Sequence, residues 1–372
     1  METLRFSVPC LFGLEGLAAK ELRRLRMDAV QAENGRVGFS GGVLDLARAN
    51  VNLRCGERVL LELGRFPAES FEALFQGVRA LPWERFIPRD GRFPVKGHSL
   101  TSALHSVPDC QKIIKKAVAA RLGEKYGLER LPETGELYQI QFSILKDEAA
   151  LFLDTSGAGL HKRGYRPAHL EAPLRETLAA AMVELARFRG KEDFCDPFCG
   201  SGTIPIEAAL TAKNRAPGLM RDFSARHWKS LPPEIWREAE TEARDGEFHG
   251  KYRIFASDID SRAVDLARKN AARAGVEGDI AFSVADACAF GRRTDRGSLV
   301  TNPPYGQRLL EREEAEELYR DFGAAMGGAE RWQALILSSH PEFERFYGRS
   351  AAKKRKLYNG MIPCTLYQFP AK

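Results

Sequence analysis

The chain has 372 residues, 44% of them hydrophobic and 28% charged. That composition excludes wholesale disorder and a collagen-like repeat, and the length predicts two or three domains. No run approaches the ~18 consecutive apolar residues of a membrane helix, and Met1-Glu2-Thr3-Leu4-Arg5 lacks the basic-then-apolar pattern of a secretion signal. Formal charge is +6, from 56 basic and 50 acidic residues. Residues 1–170 hold 25 basic against 20 acidic, and residues 171–372 hold 31 against 30. The basic excess thus lies in the first half, where it permits a polyanion partner. The seven cysteines are odd in number and form no CxxC pair, so they read as reduced thiols of a cytoplasmic protein.

In chain order, residues 1–60 read as a small α+β unit: a strand at Phe6–Val8, a helix at Leu14–Leu25, a strand at Arg36–Phe39 and a helix at Gly42–Ala49. Residues 61–165 form a second unit. Its elements are a strand from Val59 to Arg65, a helix over Ser70–Leu81 opened by a Ser N-cap, and a short strand at Arg92–Lys96. The Pro108–Tyr126 helix follows, with Ile113, Ile114, Ala117, Val118 and Leu122 as its apolar stripe. Two strands, Tyr138–Leu145 and Ala149–Asp154, turn at Lys146-Asp147-Glu148.

Residues 166–372 alternate strand and helix, as a parallel α/β sheet does. A helix at Ala172–Phe188 leads. Strands follow at Asp193–Asp196, Tyr252–Asp258, Ile280–Asp286, Ser298–Asn302 and Gln333–Ser339, with helices at Thr203–Lys213, Ser261–Ala274 and Glu313–Gly323 between them. Residues 215–250 look like an insertion carrying one helix, Pro233–Asp245. Asn359-Gly360 between two strand-like runs predicts a terminal β-hairpin.

Chemistry concentrates at the ends of these strands. Asp196-Pro197-Phe198-Cys199-Gly200-Ser201-Gly202-Thr203 is a glycine-rich strand-to-helix turn. Such a turn lets a ligand approach the backbone, and the helix start favours anionic groups. Pro205 stands where GxGxxG needs its third glycine, which disfavours a dinucleotide, and no Gly-Lys-Ser/Thr makes a P-loop. Asp258 and Asp286 end the next two strands. In an open α/β sheet ligands bind at this edge. There one acid suits ribose hydroxyls and the other an adenine amine, although either could be a plain helix cap. Asn302-Pro303-Pro304-Tyr305 ends the fourth strand. The two prolines give up their backbone donors. The Asn302 side-chain oxygen and the Pro303 carbonyl then form an acceptor-rich pocket for a planar NH2, with Tyr305 able to stack on it.

These motifs resemble those of the THUMP-domain RNA guanine-N2 methyltransferases, which are class I S-adenosylmethionine enzymes. Beside Asp196–Ala208 and Asn302–Gly306, the match includes Arg163-Gly164-Tyr165-Arg166, Ala172–Thr177 and Lys356-Leu357-Tyr358-Asn359-Gly360. Lys112-Ile113-Ile114-Lys115-Lys116-Ala117 resembles the helix of the THUMP domain. The likeness spans about residues 60–372 and is nearest to the bacterial enzymes that make N2-methylguanosine in 23S ribosomal RNA, here as a single module. It implies a Rossmann-like methyltransferase sheet over 166–372, a THUMP domain over 61–165 and a ferredoxin-like unit over 1–60. It implies S-adenosylmethionine bound by Asp196, Pro197, Phe198, Gly200, Ser201, Gly202, Thr203, Asp258, Asp286 and Asn302, and catalysis by Asn302, Pro303, Pro304 and Tyr305. It implies RNA contacts at Lys112, Lys115, Lys116, Arg163 and Arg166. The seven histidines form no HxxxH or HxxH pair and a sulfonium methyl is already activated, so no metal is expected; no membrane and no obligate protein partner are expected either. Transfer RNA, a glutamine-N5 or adenine-N6 acceptor, and a non-catalytic assembly factor are the alternatives. Lys353-Lys354-Arg355-Lys356 reads equally as a charged edge strand or as an RNA contact.

Overall fold

The computed structural model describes residues 3–166, 174–289, 295–305, 312–328 and 331–371. Two compact units result, and neither is a continuous stretch of chain: Met1–Cys10, Ala19–Leu160 and Asp222–Glu242 form one, and Leu11–Ala18, His161–Arg221 and Ala243–Lys372 the other.

The first unit is built on one seven-stranded sheet. Its strands are β1 (Leu4–Pro9), β2 (Asp28–Glu33), β3 (Arg36–Gly41), β4 (Leu60–Pro67), β5 (Val95–Leu100), β6 (Ile140–Leu145) and β7 (Glu148–Asp154), in the spatial order β2-β3-β1-β4-β7-β6-β5. Antiparallel pairing of β1 with β4, Phe6 opposite Leu61, carries the sheet across the expected boundary at residue 60. The β6–β7 turn places Lys146 and Asp147 at φ +52° and +62°, the two positive angles that a tight primed turn requires. Helices α1 (Glu15–Arg24) and α2 (Val43–Asn52) precede α3 (Phe71–Ala80), where the Ser70 hydroxyl accepts the Ala73 N–H at 3.1 Å, as the cap predicts. Along α4 (Val107–Tyr126) Ile114, Ala117, Val118 and Leu122 are buried, whereas Ile113 is only partly so.

The segment 222–242 was expected to go with the second half and instead joins this first unit. The indole N–H of Trp228 and the hydroxyl of Ser224 both donate to the Leu137 carbonyl, at 2.9 and 3.0 Å. The Trp228 ring stacks on Tyr138 with centroids 5.0 Å apart. Arg48 pairs with Glu242 on α7 (Glu234–Asp245) at 2.5 Å.

The second unit has the expected parallel sheet. Strands β8 (Asp193–Asp196), β9 (Ile254–Asp258), β10 (Ile280–Val284), β11 (Gly297–Thr301), β12 (Trp332–Ser338), β13 (Lys353–Asn359) and β14 (Ile362–Phe369) take the order β10-β9-β8-β11-β12-β14-β13. The first five are parallel, and β14 returns antiparallel against β12. The hairpin turns at Gly360, φ +64°. Helices α5 (Glu176–Leu185), α6 (Thr203–Ala212), α8 (Ser261–Arg273) and α9 (Arg312–Ala325) flank the sheet strands in sequence, and Asp260 caps α8 by accepting the Arg262 N–H at 2.9 Å. A short helix, α10 (Phe343–Tyr347), packs Phe343 and Tyr347 into a cluster with Tyr319, Phe322 and Phe369. The expected helix start at Ala172 lies outside the described residues, as does Gly306.

Removing the Trp228 ring leaves a large cavity and takes one of the two hydrogen bonds from the Leu137 carbonyl, which keeps that of Ser224. Trp228→Ala is expected to cost about 3–5 kcal/mol, read as a lower urea midpoint at an unchanged slope.

Candidate active site

Four strand ends and one helix start meet at the carboxyl edge of the second sheet. The turn after β8 runs Asp196–Gly202 into α6. Its two glycines have different reasons to be there. Gly200 sits at φ +50° with open space where a Cβ would point. Gly202, at φ +83°, lies so close to α8 that a Cβ would meet the Ala267 Cβ at 2.9 Å. The turn is pinned from several sides. The Asp258 carboxylate accepts the Gly200 N–H at 2.9 Å and the Asp260 N–H at 3.1 Å. The Asn270 amide donates to the Ser201 carbonyl at 3.0 Å.

Asp196 is turned inward, 1% exposed. One carboxylate oxygen accepts the Thr301 hydroxyl at 2.6 Å and the Phe198 N–H at 3.2 Å. Thr301 immediately precedes Asn302, so this contact joins the glycine turn to the end of β11. Burial, with a smaller push from the Asp258 charge, raises the Asp196 pKa to about 7. Pro197 and Thr203 are also buried. Phe198 packs edge-on against Phe322 at 5.1 Å.

Asn302 and Tyr305 are half-buried, and the Tyr305 hydroxyl donates to the Asn302 side-chain oxygen. The Cys364 thiol, from β14, lies 3.8 Å from that hydroxyl. Burial first, then Cys364, push the Tyr305 phenol well above its usual pKa. Tyr319 on α9 donates to the Pro304 carbonyl at 2.6 Å. Neither Cys364 nor Tyr319 was expected here. Their sequence signals are those of any core position on a strand or helix.

Apolar surface stands open at the same edge. Ile259, next to Asp258, is 73% exposed, and Val284 at the end of β10 is 57% exposed. Asp286 is exposed beyond it, and its carboxylate accepts the Cys288 N–H at 2.8 Å. An open glycine turn, a half-exposed carboxylate with lone pairs to spare and two bare aliphatic side chains suit a nucleoside carrying no pyrophosphate.

The residues expected to touch RNA divide. Arg163 is 1% exposed and pairs with buried Glu207 at 3.4 Å, and Tyr165 donates to the same carboxylate at 3.2 Å. Arg166 pairs with Glu176 at 2.7 Å and also donates to Thr203 and the Leu174 carbonyl. Both arginines therefore brace the second unit from inside and present no guanidinium for an RNA phosphate. Lys115 is likewise turned to its own unit, pairing with Glu133 at 2.5 Å over the Phe93 ring. Lys112 and Lys116 do reach solvent, the first beside Asp109. On β13, Lys354 pairs with Glu344, and Arg355 donates to the Gly13 carbonyl. Among the described residues no group of His, Cys, Asp and Glu could hold a metal, and no helix is long and apolar enough to cross a membrane.

The raised Asp196 pKa has a sign. In the folded protein this carboxyl holds its proton up to about pH 7, whereas unfolded it releases it near pH 4. The stability it contributes is therefore full below pH 4 and is lost as pH rises through 7, by up to about 4 kcal/mol. Asp196→Asn keeps the accepting oxygen and removes the titration. Thermal melts from pH 5 to 8 should fall less steeply with pH for this variant than for the parent.

Comparison with known proteins agrees with this geometry. Residues 163–368 match the RMKL-like methyltransferase domain, residues 5–60 the RlmL ferredoxin-like domain and residues 68–154 the THUMP domain. YpsC of Bacillus subtilis (strain 168), whose name includes the words RNA methyltransferase, is 43% identical over 97% of this chain and 94% of its own. The ribosomal RNA large subunit methyltransferase K/L of Psychromonas ingrahamii is 34% identical over 98% of this chain, which spans 50% of that longer protein. A crystal structure from Listeria monocytogenes str. 4b F2365, whose description names N6-adenine-specific DNA methylase, superposes with a TM-score of 0.95 at 44% identity, covering 100% of this chain and 97% of the other. SMU.472, solved in complex with SAH (S-adenosylhomocysteine), gives 0.93 at 39%, covering 100% and 99%. The chain belongs to the RMKL-like methyltransferase family: it is an S-adenosylmethionine-dependent methyltransferase that carries a THUMP domain, the RNA-binding module of the family its motifs resemble.

Proposed function

We propose that this enzyme acts on RNA and methylates the exocyclic N2 amine of a guanosine in 23S ribosomal RNA. The observation that carries the reading is the half-buried Asn302-Pro303-Pro304-Tyr305 turn beside the glycine turn. Two prolines remove backbone donors from it, which leaves the Asn302 side-chain oxygen and the Pro303 carbonyl to accept from an NH2 group. The THUMP match over 68–154 and the ribosomal RNA named for the K/L relatives favour RNA. The name of the Listeria protein motivates a second reading, adenine N6 in DNA. That acceptor has a similar NH2 group, and the first unit argues against it. A transfer RNA substrate differs only in the RNA gripped. In this reading the expected domains 1–60 and 61–165, joined by 222–242, grip RNA, with Lys112 and Lys116 on phosphates, and the remainder of 166–372 transfers the methyl. Ribosomal RNA as substrate implies action in the cytoplasm.

S-adenosylmethionine, when bound, supplies a methyl on a positively charged sulfur that an amine attacks directly. Gly200, Ser201 and the Asp258 carboxylate hold its amino-acid and ribose parts in this reading, and Asp286 receives its base beside Ile259 and Val284. The target guanine leaves its stack to reach the pocket, as base-modifying enzymes require. Asn302 then does the positioning work. Its amide oxygen has two lone pairs. Tyr305 occupies one, and the other accepts an N–H of the incoming amine. That acceptance favours a pyramidal nitrogen with a free lone pair and stabilises the positive charge that grows on it. The product proton leaves to water.

Asn302→Ala should lower the single-turnover methylation rate by about 10²–10³-fold, by comparison with loss of one preorganised polar group, while calorimetry finds cofactor binding intact. Tyr305→Phe keeps the ring and frees the Asn302 amide, so its rate should lie between those of the parent and Tyr305→Ala. A parent-like rate for Asn302→Ala would remove the amine pocket from the mechanism. Asp258→Ala should raise the cofactor dissociation constant about tenfold or more, because a hydrogen bond to a charged group contributes ~1.5–3 kcal/mol.

A further inference from the structure

The opposite edge of the second sheet, where its strands begin, also carries a site. A cavity of about 380 Å³ is lined there by Lys191, Arg253, Arg296 and Arg331, with Glu192 and Asp295. Each cation stands one or two residues ahead of a strand: Lys191 before β8, Arg253 before β9, Arg296 before β11 and Arg331 before β12. Those four strands are neighbours, in the order β9-β8-β11-β12. Residues up to 140 positions apart in sequence thus arrive in one row around one concavity.

A charged residue at the start of a strand is commonly just solvated. Four adjacent strands starting with the same sign is different, because like charges held together repel. The acids present compensate only in part. Arg253 pairs with buried Asp193 at 2.5 Å, and Glu192 accepts the Ser298 hydroxyl at 3.1 Å. Lys191 and Arg331 are exposed and make no ion pair with any described residue. Among the described residues the lining holds no apolar or aromatic side chain to meet the face of a base. Three guanidinium forks and an ammonium match phosphate oxygens.

We propose that this amino-terminal edge is a second RNA contact, binding the phosphodiester backbone of the substrate without reading its sequence. The assignment rests on the RNA reading above. Five residue steps along β9 at ~3.3 Å each separate Arg253 from Asp258 by roughly 17 Å, about five nucleotides of stacked strand at ~3.4 Å each. One RNA can therefore occupy this edge while its guanine occupies the other.

The test uses the full chain, protein-free 23S ribosomal RNA and the double variant Lys191→Gln/Arg331→Gln, which leaves the Arg253–Asp193 pair in place. Binding to RNA should weaken, and the slope of log affinity against log salt should become shallower by up to ~1.4–1.8 for two lost phosphate contacts. Cofactor affinity should stay unchanged, and the melting temperature should not fall, because removing two like charges relieves repulsion. Neutralising two exposed cations elsewhere on this unit, Lys269→Gln/Arg345→Gln, should leave the slope alone. An unaltered slope in the first variant, or an equal change in both, overturns the site. If millimolar pyrophosphate stabilises the parent and not Lys191→Gln/Arg331→Gln against heat while the RNA slope is unaltered, the cavity takes a small phosphate ligand and the RNA assignment falls. Methylation of the same RNA by the parent is scored separately: its absence would sink the proposed reaction while leaving the binding comparison intact.

Discussion

Between β8 and β11 the Thr301 hydroxyl donates to a carboxylate with almost no access to water, that of Asp196. The bond joins two loops that the chain separates by 105 residues. On one side, the same Asp196 oxygen takes the Phe198 N–H and so shapes the glycine turn. On the other, Thr301 is the last residue before Asn302. Neighbouring parallel strands bring the two chain segments within reach, and this contact sets where the turn and the acceptor loop sit relative to each other. A buried carboxylate is costly unless its hydrogen bonds are made. Its cost here shows as a pKa near 7, and the two bonds keep it tolerable.

The rest of the edge is assembled by further cross-links of the same kind. Asp258 holds Gly200, Asn270 holds Ser201, Tyr319 holds Pro304 and Tyr305 holds Asn302. Asp258, Asn270 and Tyr319 come from three different strands and helices, so the loops are positioned by rigid elements, and the Tyr305 contact closes the acceptor loop on itself. The terminal hairpin takes part as well, since it carries Cys364 to within 3.8 Å of the Tyr305 hydroxyl. Preorganisation of this type matters for the proposed methylation of an amine, because the acceptors that meet the positive charge developing on nitrogen are held in place beforehand.

Elements with their own pattern were legible in the sequence: the α4 stripe, the Ser70 cap, the Asn359-Gly360 hairpin and the order of parallel strands. Strand β2 was not. Its residues, Asp28–Glu33, are nearly all exposed, and Ala29 sits at φ +49° beside a register shift, so no alternation marks them. The place of 222–242 was hidden for another reason. Trp228 read as part of a charged insertion until its partners Tyr138 and Leu137, some 90 residues earlier, were known. The motif residues around Asp196, Asp258 and Asn302 were found at one sheet edge as expected. Cations were the least legible. Lys112 and Lys115 are alike in sequence, yet Glu133 and Phe93 take Lys115 inward. Arg163 and Arg166 likewise turn toward Glu207 and Glu176. Charge alone does not say which side of a surface a long side chain faces.

In the proposed reaction the acceptor loop at Asn302 receives the N2 amine of guanine in RNA. Purified protein, deuterated-methyl S-adenosylmethionine and protein-free 23S ribosomal RNA, followed by nucleoside digestion and mass spectrometry, test it most directly. The expected product is labelled N2-methylguanosine, formed about 10²–10³-fold more slowly when Asn302→Ala replaces the parent. Label in N6-methyladenosine with none in guanosine, or label appearing only when DNA replaces the RNA, would contradict it.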